Sequence, residues 1–259
     1  MKRDYPPNIV KFQNAFAKHA EKLIQTNPKD RNADILLRVS EQIEKAWTHE
    51  QTKPVESKQT TFLRDYFNDF REVILSCEHF DVLHALAKET LADDKRETIP
   101  KVITFWSETY LNEVYIFSCR IKDFLIATER KYNKDTDFAE PIKEICAQSQ
   151  AIIDKELAPF INVRGSHVHK ARSQHSDPQI VRLAHLDLLA RDLNQSEFLA
   201  ERAAAIKEGI EWVLQQISYC ANLAWTISDG ICDVLSDGIV TENGWLIVPT
   251  NHKDQPKLT

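Results

Sequence analysis

The run Val163-Arg164-Gly165-Ser166-His167-Val168-His169-Lys170-Ala171-Arg172 gathers two of the chain's nine histidines and one of its five glycines. From Ile161 to Ser176 there are three basic residues, three histidines and no acid, in a protein of net charge -6. A positive island in an acidic chain is a candidate site for phosphate or another anion. Histidine moves protons near neutral pH, and arginine places a cation on a phosphate. Cleaving RNA through its own 2′-hydroxyl calls for both.

Two other readings of the same residues stand beside this one. His167, His169 and His175, with Asp177, could form a metal site, because three imidazoles close in sequence can bind zinc. His-x-His commonly serves a metal from a strand, however, and no strand is expected here, so no metal is assigned. Alternatively, Gly165 is the left-handed cap of the preceding helix, with Arg164 and the histidines at its negative end.

The elements that must position these residues are helical. Glycine is scarce, hydrophobic residues make up 42% of the chain, and apolar positions recur at threes and fours. Asn8 to Gln25 and Asp34 to Trp47 read as two amphipathic helices, followed by a polar linker around Pro54. Phe62 to Cys77 and Asp81 to Leu91 read as two helices with a bend near His79. Pro100 opens a helix of about 30 residues, striped by Trp106, Tyr110, Val114, Phe117, Ile121 and Phe124. Pro141 restarts a helix that delivers the chain to Arg164, and Gln179 to Asp192 follows. The last helix has the most regular seam, from Leu199 through Ile206, Val213, Ile217, Cys220, Ala224 and Ile231 to Val234. Such a seam calls for packing against a long antiparallel neighbour, with Gly209 allowing close approach.

Ile239 to Glu242, Asn243-Gly244, then Trp245 to Val248 carry the signature of a β-hairpin with a type I′ turn. The expected fold is therefore all-α. It has an N-terminal helical extension over 1–50, a long-helix bundle over 56–236, a β-hairpin over 238–249 and a disordered tail over 250–259.

Glu113 and Arg120 lie seven apart on one face of the long helix, at the edge of its apolar stripe. They read either as an ordinary ion pair or as support for the basic run. His79, His84 and His185 read as packed or surface residues, and Trp212 and Trp225 as core or interface. Cys77, Cys119, Cys146, Cys220 and Cys232 are odd in number and widely spaced, without a CxxC pair, which points away from a disulfide framework and towards a reducing cytoplasm. No apolar run is long enough for a membrane span, and no signal-peptide core stands at the N-terminus. The absence of P-loop, GxGxxG, HExxH and GxSxG motifs removes the commonest nucleotide-triphosphatase, dehydrogenase, zinc-protease and hydrolase readings.

An Arg followed within a few residues by His, after a helix in an all-α bundle, resembles the HEPN superfamily (higher eukaryote and prokaryote nucleotide-binding domains). The resemblance covers Phe62 to Leu235 and rests on helix order and the pair Arg164 and His169. It departs at Gly165, where the family commonly has a polar residue such as Asn. What it implies is a homodimer in which the Arg and His of both chains line one cleft. Many members of the family are metal-independent endoribonucleases acting as toxins, in phage defence or in RNA processing; others are inactive or bind nucleotides. Carried over by position, Arg164 would hold the scissile phosphate and His169 would act as general acid or base. His167 is a second proton carrier, Lys170 and Arg172 are further RNA contacts, and Glu113 and Arg120 are supporting residues. No cofactor is implied; the expected partners are RNA or a nucleotide, a second copy of the chain, and an antitoxin or other protein. The alternative is a non-catalytic helical module that binds a nucleotide, RNA or protein.

Overall fold

The computed structural model describes residues 4–26, 57–92, 98–169, 178–186 and 194–253. Among these, the regular elements are helical: α1 (Pro7–Thr26), α2 (Lys58–Thr90), α3 (Ile99–Tyr132), α4 (Ala139–His169), α5 (Pro178–Ala184) and α6 (Gln195–Ile239), closed by a short 3-10 turn (Thr250–His252). The all-α expectation holds. No helix among the described residues is long and apolar enough to cross a membrane.

The chain forms two compact units. The first comprises residues 1–74, 121–152 and 225–259, and the second 75–120 and 153–224. Helices α2, α3, α4 and α6 each give one part of their length to each unit.

The first unit is built on aromatic side chains. Phe12 and Phe16 of α1 are fully buried among Tyr66, Phe67 and Phe70 of α2 and Phe124 of α3. Ring centroids lie 5.1 Å apart for Phe12 and Phe70, 5.5 Å for Phe16 and Tyr66, and 5.6 Å for Tyr66 and Phe124. Each buried ring removes a large apolar area from water; Phe12 meets Phe70 edge-on, Phe16 is tilted on Tyr66, and Tyr66 stacks on Phe124. α1, which the sequence sets in an N-terminal extension, thus contributes to the core of this unit. The helix expected over Asp34 to Trp47 lies outside the described residues.

α1 is also capped from a distance. The Asp229 carboxylate of α6 accepts the backbone N–H of Asn8 at 2.9 Å and of Ile9 at 3.2 Å, and the Asn8 side-chain amide at 3.1 Å. These donors have no partner within their own helix, and a carboxylate complements the positive end of the helix dipole.

The second unit centres on Ile103, Tyr110, Leu111 and Phe117 of α3, Leu157 of α4, Ile180 of α5, and Ile206, Val213 and Ile217 of α6, all buried. Gly209 earns its place by close approach: a Cβ there would sit 2.7 Å from Leu183 Cδ1 and 3.3 Å from Ile103 Cδ1. Arg182 of α5 ties onto α6 through Glu201, at 2.9 Å from Nε, and through Glu208.

Several expectations need correction. α2 is one unbroken helix, not two with a bend near His79; no proline or glycine interrupts it, and Cys77 and Phe80 on either side of His79 are buried. α4 does not end at Arg164 but continues through Gly165 to His169. Gly165 therefore is not a left-handed cap; Gly244 alone among the described residues has positive φ, at 77°. The seam of α6 is buried from Ile206 to Ile231 except for partial exposure at Ile210, whereas Leu199 and Val234 at its ends are exposed.

The C-terminal β-hairpin is not formed. α6 runs on to Ile239 and takes up residues the first strand needed, leaving a single antiparallel bridge between Val240 and Leu246. The expected type I′ turn centred on Asn243-Gly244 is not formed either: the Gly244 N–H donates to Thr241 O at 2.8 Å, which puts Glu242 and Asn243 at the centre, and among the described residues only Gly244 has positive φ. The Thr241 N–H donates to Trp245 O at 2.8 Å. Beyond it Leu246 and Val248 are buried. The segment expected as a tail starts ordered: the Thr250 N–H donates to Asp135 Oδ2 at 2.9 Å, and the His252 ring lies 4.9 Å from that of Phe62. Residues 254–259 lie outside the described residues.

Candidate functional site

Arg164 lies in the last turns of α4, half-buried, within the second unit. Its Nε donates to Asn112 Oδ1 of α3 at 2.9 Å. Its guanidinium carbon stands 4.0 Å from the centroid of the Tyr115 ring. Asn112 and Tyr115 are three residues apart and so share one side of α3. One holds the inner nitrogen of the guanidinium and the other supports its π-face, an arrangement only arginine satisfies at both contacts. Among the described residues nothing engages the two terminal nitrogens. That forked end matches phosphate geometry.

Glu113, the neighbour of Asn112, faces elsewhere. Its Oε2 is 3.8 Å from Nδ1 of His79 on α2, with Glu113 21% and His79 62% exposed. At that separation the pair is an ion contact without a hydrogen bond, in force when the imidazole is protonated. Glu113 thus meets a histidine, though not one from the basic run. Arg120, about two turns further along α3 from Asn112, is half-buried and has interactions of its own.

The backbone of His167 and His169 belongs to α4; their side chains, and all of Lys170, Arg172, His175 and Asp177, lie outside the described residues. The helix still fixes their angular positions. At about 100° per residue, position 169 stands about 140° around the axis from Arg164, and position 167 about 60°. The helix does not bring Arg164 and His169 onto one face. A Cβ at Gly165 would meet nothing within 4 Å, so packing does not demand glycine there.

Three residues of this site escaped the sequence reading. Asn112 and Tyr115 sit off the apolar stripe of α3, and a tyrosine outside a stripe is a signal that its ring serves something other than the core; Tyr115 is 40% exposed. His79 was placed among packed or surface residues, and nothing in its own segment pointed to Glu113. The cysteines, expected as small buried hydrophobes, are so at four positions, and Cys119 is the exception. Cys77, Cys146, Cys220 and Cys232 are buried and Cys119 is exposed, all as free thiols. Burial pushes the thiols of Cys146 and Cys220 up to about 12, which keeps them protonated and inert. Trp225 is buried against Tyr5 at 5.6 Å, and Trp212 meets Tyr110 at 6.2 Å. Among the described residues no cluster of histidine, cysteine or carboxylate could hold a metal ion.

Comparison of the chain with models of known protein families, with curated proteins and with solved structures finds no match.

Proposed function

We propose that the second unit carries an RNA-cleaving site of HEPN type, a metal-independent endoribonuclease site centred on Arg164. The observation that carries this reading is the seating of the guanidinium on Asn112 and Tyr115, with its forked end unengaged among the described residues. A pre-oriented fork loses little freedom when a phosphate arrives. In the reaction, a histidine of the α4 end takes the proton from the 2′-hydroxyl, whose oxygen attacks phosphorus. The bond to the 5′-oxygen breaks, that oxygen receives a proton, and a cyclic 2′,3′-phosphate remains. Arg164 offsets the charge that builds on the phosphoryl oxygens. His169 and His167 are the proton carriers available in the run, and Lys170 and Arg172 extend the positive surface along the RNA. Of the two supporting residues the resemblance implies, Arg120 keeps that role in this reading, whereas Glu113 faces His79. A second copy of the chain would place a second Arg164 across a shared cleft, and an antitoxin or other protein could cover it.

The test is cleavage of single-stranded RNA with and without chelator, comparing wild type with Arg164→Ala, His167→Ala and His169→Ala. Activity that persists in all three variants would sink the reading.

A non-catalytic module that binds RNA, a nucleotide or a protein is favoured by one specific observation. α4 continues past Gly165, which sets position 169 away from Arg164 around the axis. RNA binding that depends on Arg164, with no cleavage by wild type, would select this second reading.

A further inference from the structure

A second positive cluster lies in the first unit, apart from the basic run. It forms where the start of α2, the end of α3 and the carboxyl-terminal turn meet. Lys58 is the first residue of α2, and Phe62 follows one turn later on the same side. The ring of Phe62 lies 4.9 Å from that of His252. Lys131, in the last turn of α3, is held in with only 19% of its side chain exposed. Its Nζ is 3.3 Å from Asp69 and 5.9 Å from the centroid of the Tyr66 ring. Lys134 follows just beyond α3. Next to it, Asp135 accepts the Thr250 N–H at 2.9 Å and the Thr250 hydroxyl at 3.2 Å, which fixes the turn carrying His252 and Lys253.

Two carboxylates of the described residues stand near these lysines, and each has partners. Asp69 faces Lys131, and Asp135 holds Thr250 and the Asp137 N–H. Lys58, Lys131 and Lys134 all act on the His252 imidazole, with Lys253 next to it in the chain and acting on Asp135, in a protein whose net charge is -6. Unlike charges scattered over a surface, these sit on three separately anchored elements. A multivalent anion would relieve their mutual repulsion and meet several donors at once.

We propose that Lys58, Lys131, Lys134, His252 and Lys253 form a binding site for a multiply charged phosphate group. Binding couples to the protonation of His252. In the free protein, burial and then the positive charges of Lys131, Lys134 and Lys58 hold this imidazole below its ordinary value of 6.5. The charged groups that act on it are Lys131 and Lys134 from the end of α3 and Lys58 from α2, while Asp69 pairs with Lys131 and Asp135 holds Thr250. An anion seated among the lysines cancels their field, so the imidazole takes up a proton and gains a further contact. Affinity therefore rises as pH falls through the neutral range. The site is independent of Arg164 and stands or falls apart from the nuclease reading.

Histidine C–H resonances of the full chain, with His252 assigned through His252→Gln, provide the test. Pyrophosphate is titrated at constant ionic strength across pH 5 to 8 (about the range in which histidine changes charge). The expected result is a saturable shift of His252 with its titration midpoint moved upward. The double variant Lys58→Gln, Lys134→Gln changes two exposed residues and should bind about tenfold or more weakly, with unchanged far-UV circular dichroism. No saturable shift, or the same affinity in the double variant, overturns the proposal. A single-stranded RNA lacking terminal phosphates then identifies the source. If it moves His252 at lower concentration than pyrophosphate, the phosphate belongs to an RNA backbone. If only pyrophosphate acts, the ligand is a free phosphorylated small molecule.

Discussion

The guanidinium of Arg164 rests 4.0 Å from the centre of the Tyr115 ring, while its Nε is held by Asn112. Lysine at position 164 would keep the charge, but a single ammonium cannot both lie flat on Tyr115 and bond Asn112 while presenting a fork to phosphate. Arg164→Lys is therefore expected to weaken single-stranded RNA binding about tenfold, and Tyr115→Leu by about two- to fivefold, the share of a partly exposed cation–π contact. Fluorescence anisotropy at one fixed salt concentration measures both. An Arg164→Lys protein that binds as wild type would show that charge alone matters.

The continuous helix ranks the two histidines of the run. Position 167 stands nearer to Arg164 around the axis of α4 than position 169 does. If catalysis uses the Arg164 face, His167→Gln should lower the cleavage rate by about a hundredfold or more, with a smaller effect from His169→Gln. Single-turnover rates settle the order, and the reverse ranking would mean that the helix is rearranged when RNA is bound.

Gly165 sits inside a helix, with open space where a Cβ would be. Alanine there should raise stability by about 0.5–1 kcal/mol, since glycine in a helix gives up more chain freedom on folding. Thermal denaturation of Gly165→Ala reads this directly. A lowered midpoint would indicate that the left-handed conformation is needed after all.

Asp229 caps α1 across a long stretch of sequence, accepting from Asn8 and Ile9. Removing it strands two backbone donors at the start of a helix whose phenylalanines fill the first unit. Asp229→Ala is expected to cost about 1–2 kcal/mol. Urea denaturation should show an earlier midpoint with little change in slope, whereas an unchanged midpoint would mean water caps α1 equally well.

His19 supplies a pH dependence. It is buried, its Nδ1 donates to Leu246 O at 3.0 Å, and Nε2 accepts from the Gln59 amide at 2.5 Å. These partners select the neutral imidazole. Burial, reinforced by Lys22 and partly offset by the Leu246 bond, holds its pKa below 6.5. In the unfolded chain His19 binds a proton more readily than in the folded one, so the stability it contributes is complete above about pH 6.5 and is lost as pH falls through the folded value. Denaturation midpoints of wild type should decline below that pH, and His19→Gln should decline less steeply. Parallel declines would remove His19 as the cause. His252, also held low, adds a component of the same sign.

Fold class was legible in the chain because helical periodicity is local. The stripe of α3 and the middle of the α6 seam lie buried as their spacing requires. Boundaries were less legible. The bend expected at His79 and the cap expected at Gly165 rested on single residues, and packing along the rest of each helix carried the backbone straight through them. A turn formed near Asn243 and Gly244, but centred one residue earlier than a type I′ hairpin needs, and α6 ran on into Ile239, so the hairpin did not form.

The basic run from Arg164 to Arg172 was visible in the sequence as charge and residue type. Its setting was not. Asn112 and Tyr115 lie some fifty residues away, and His79 with Glu113 and Asp229 with Asn8 are likewise pairs made between different helices. Composition and period report which faces are apolar and which segments are helical, because those depend on neighbours within a turn or two. Which side chains meet across helices depends on the register and rotation of one helix on another. Only the packed core decides that.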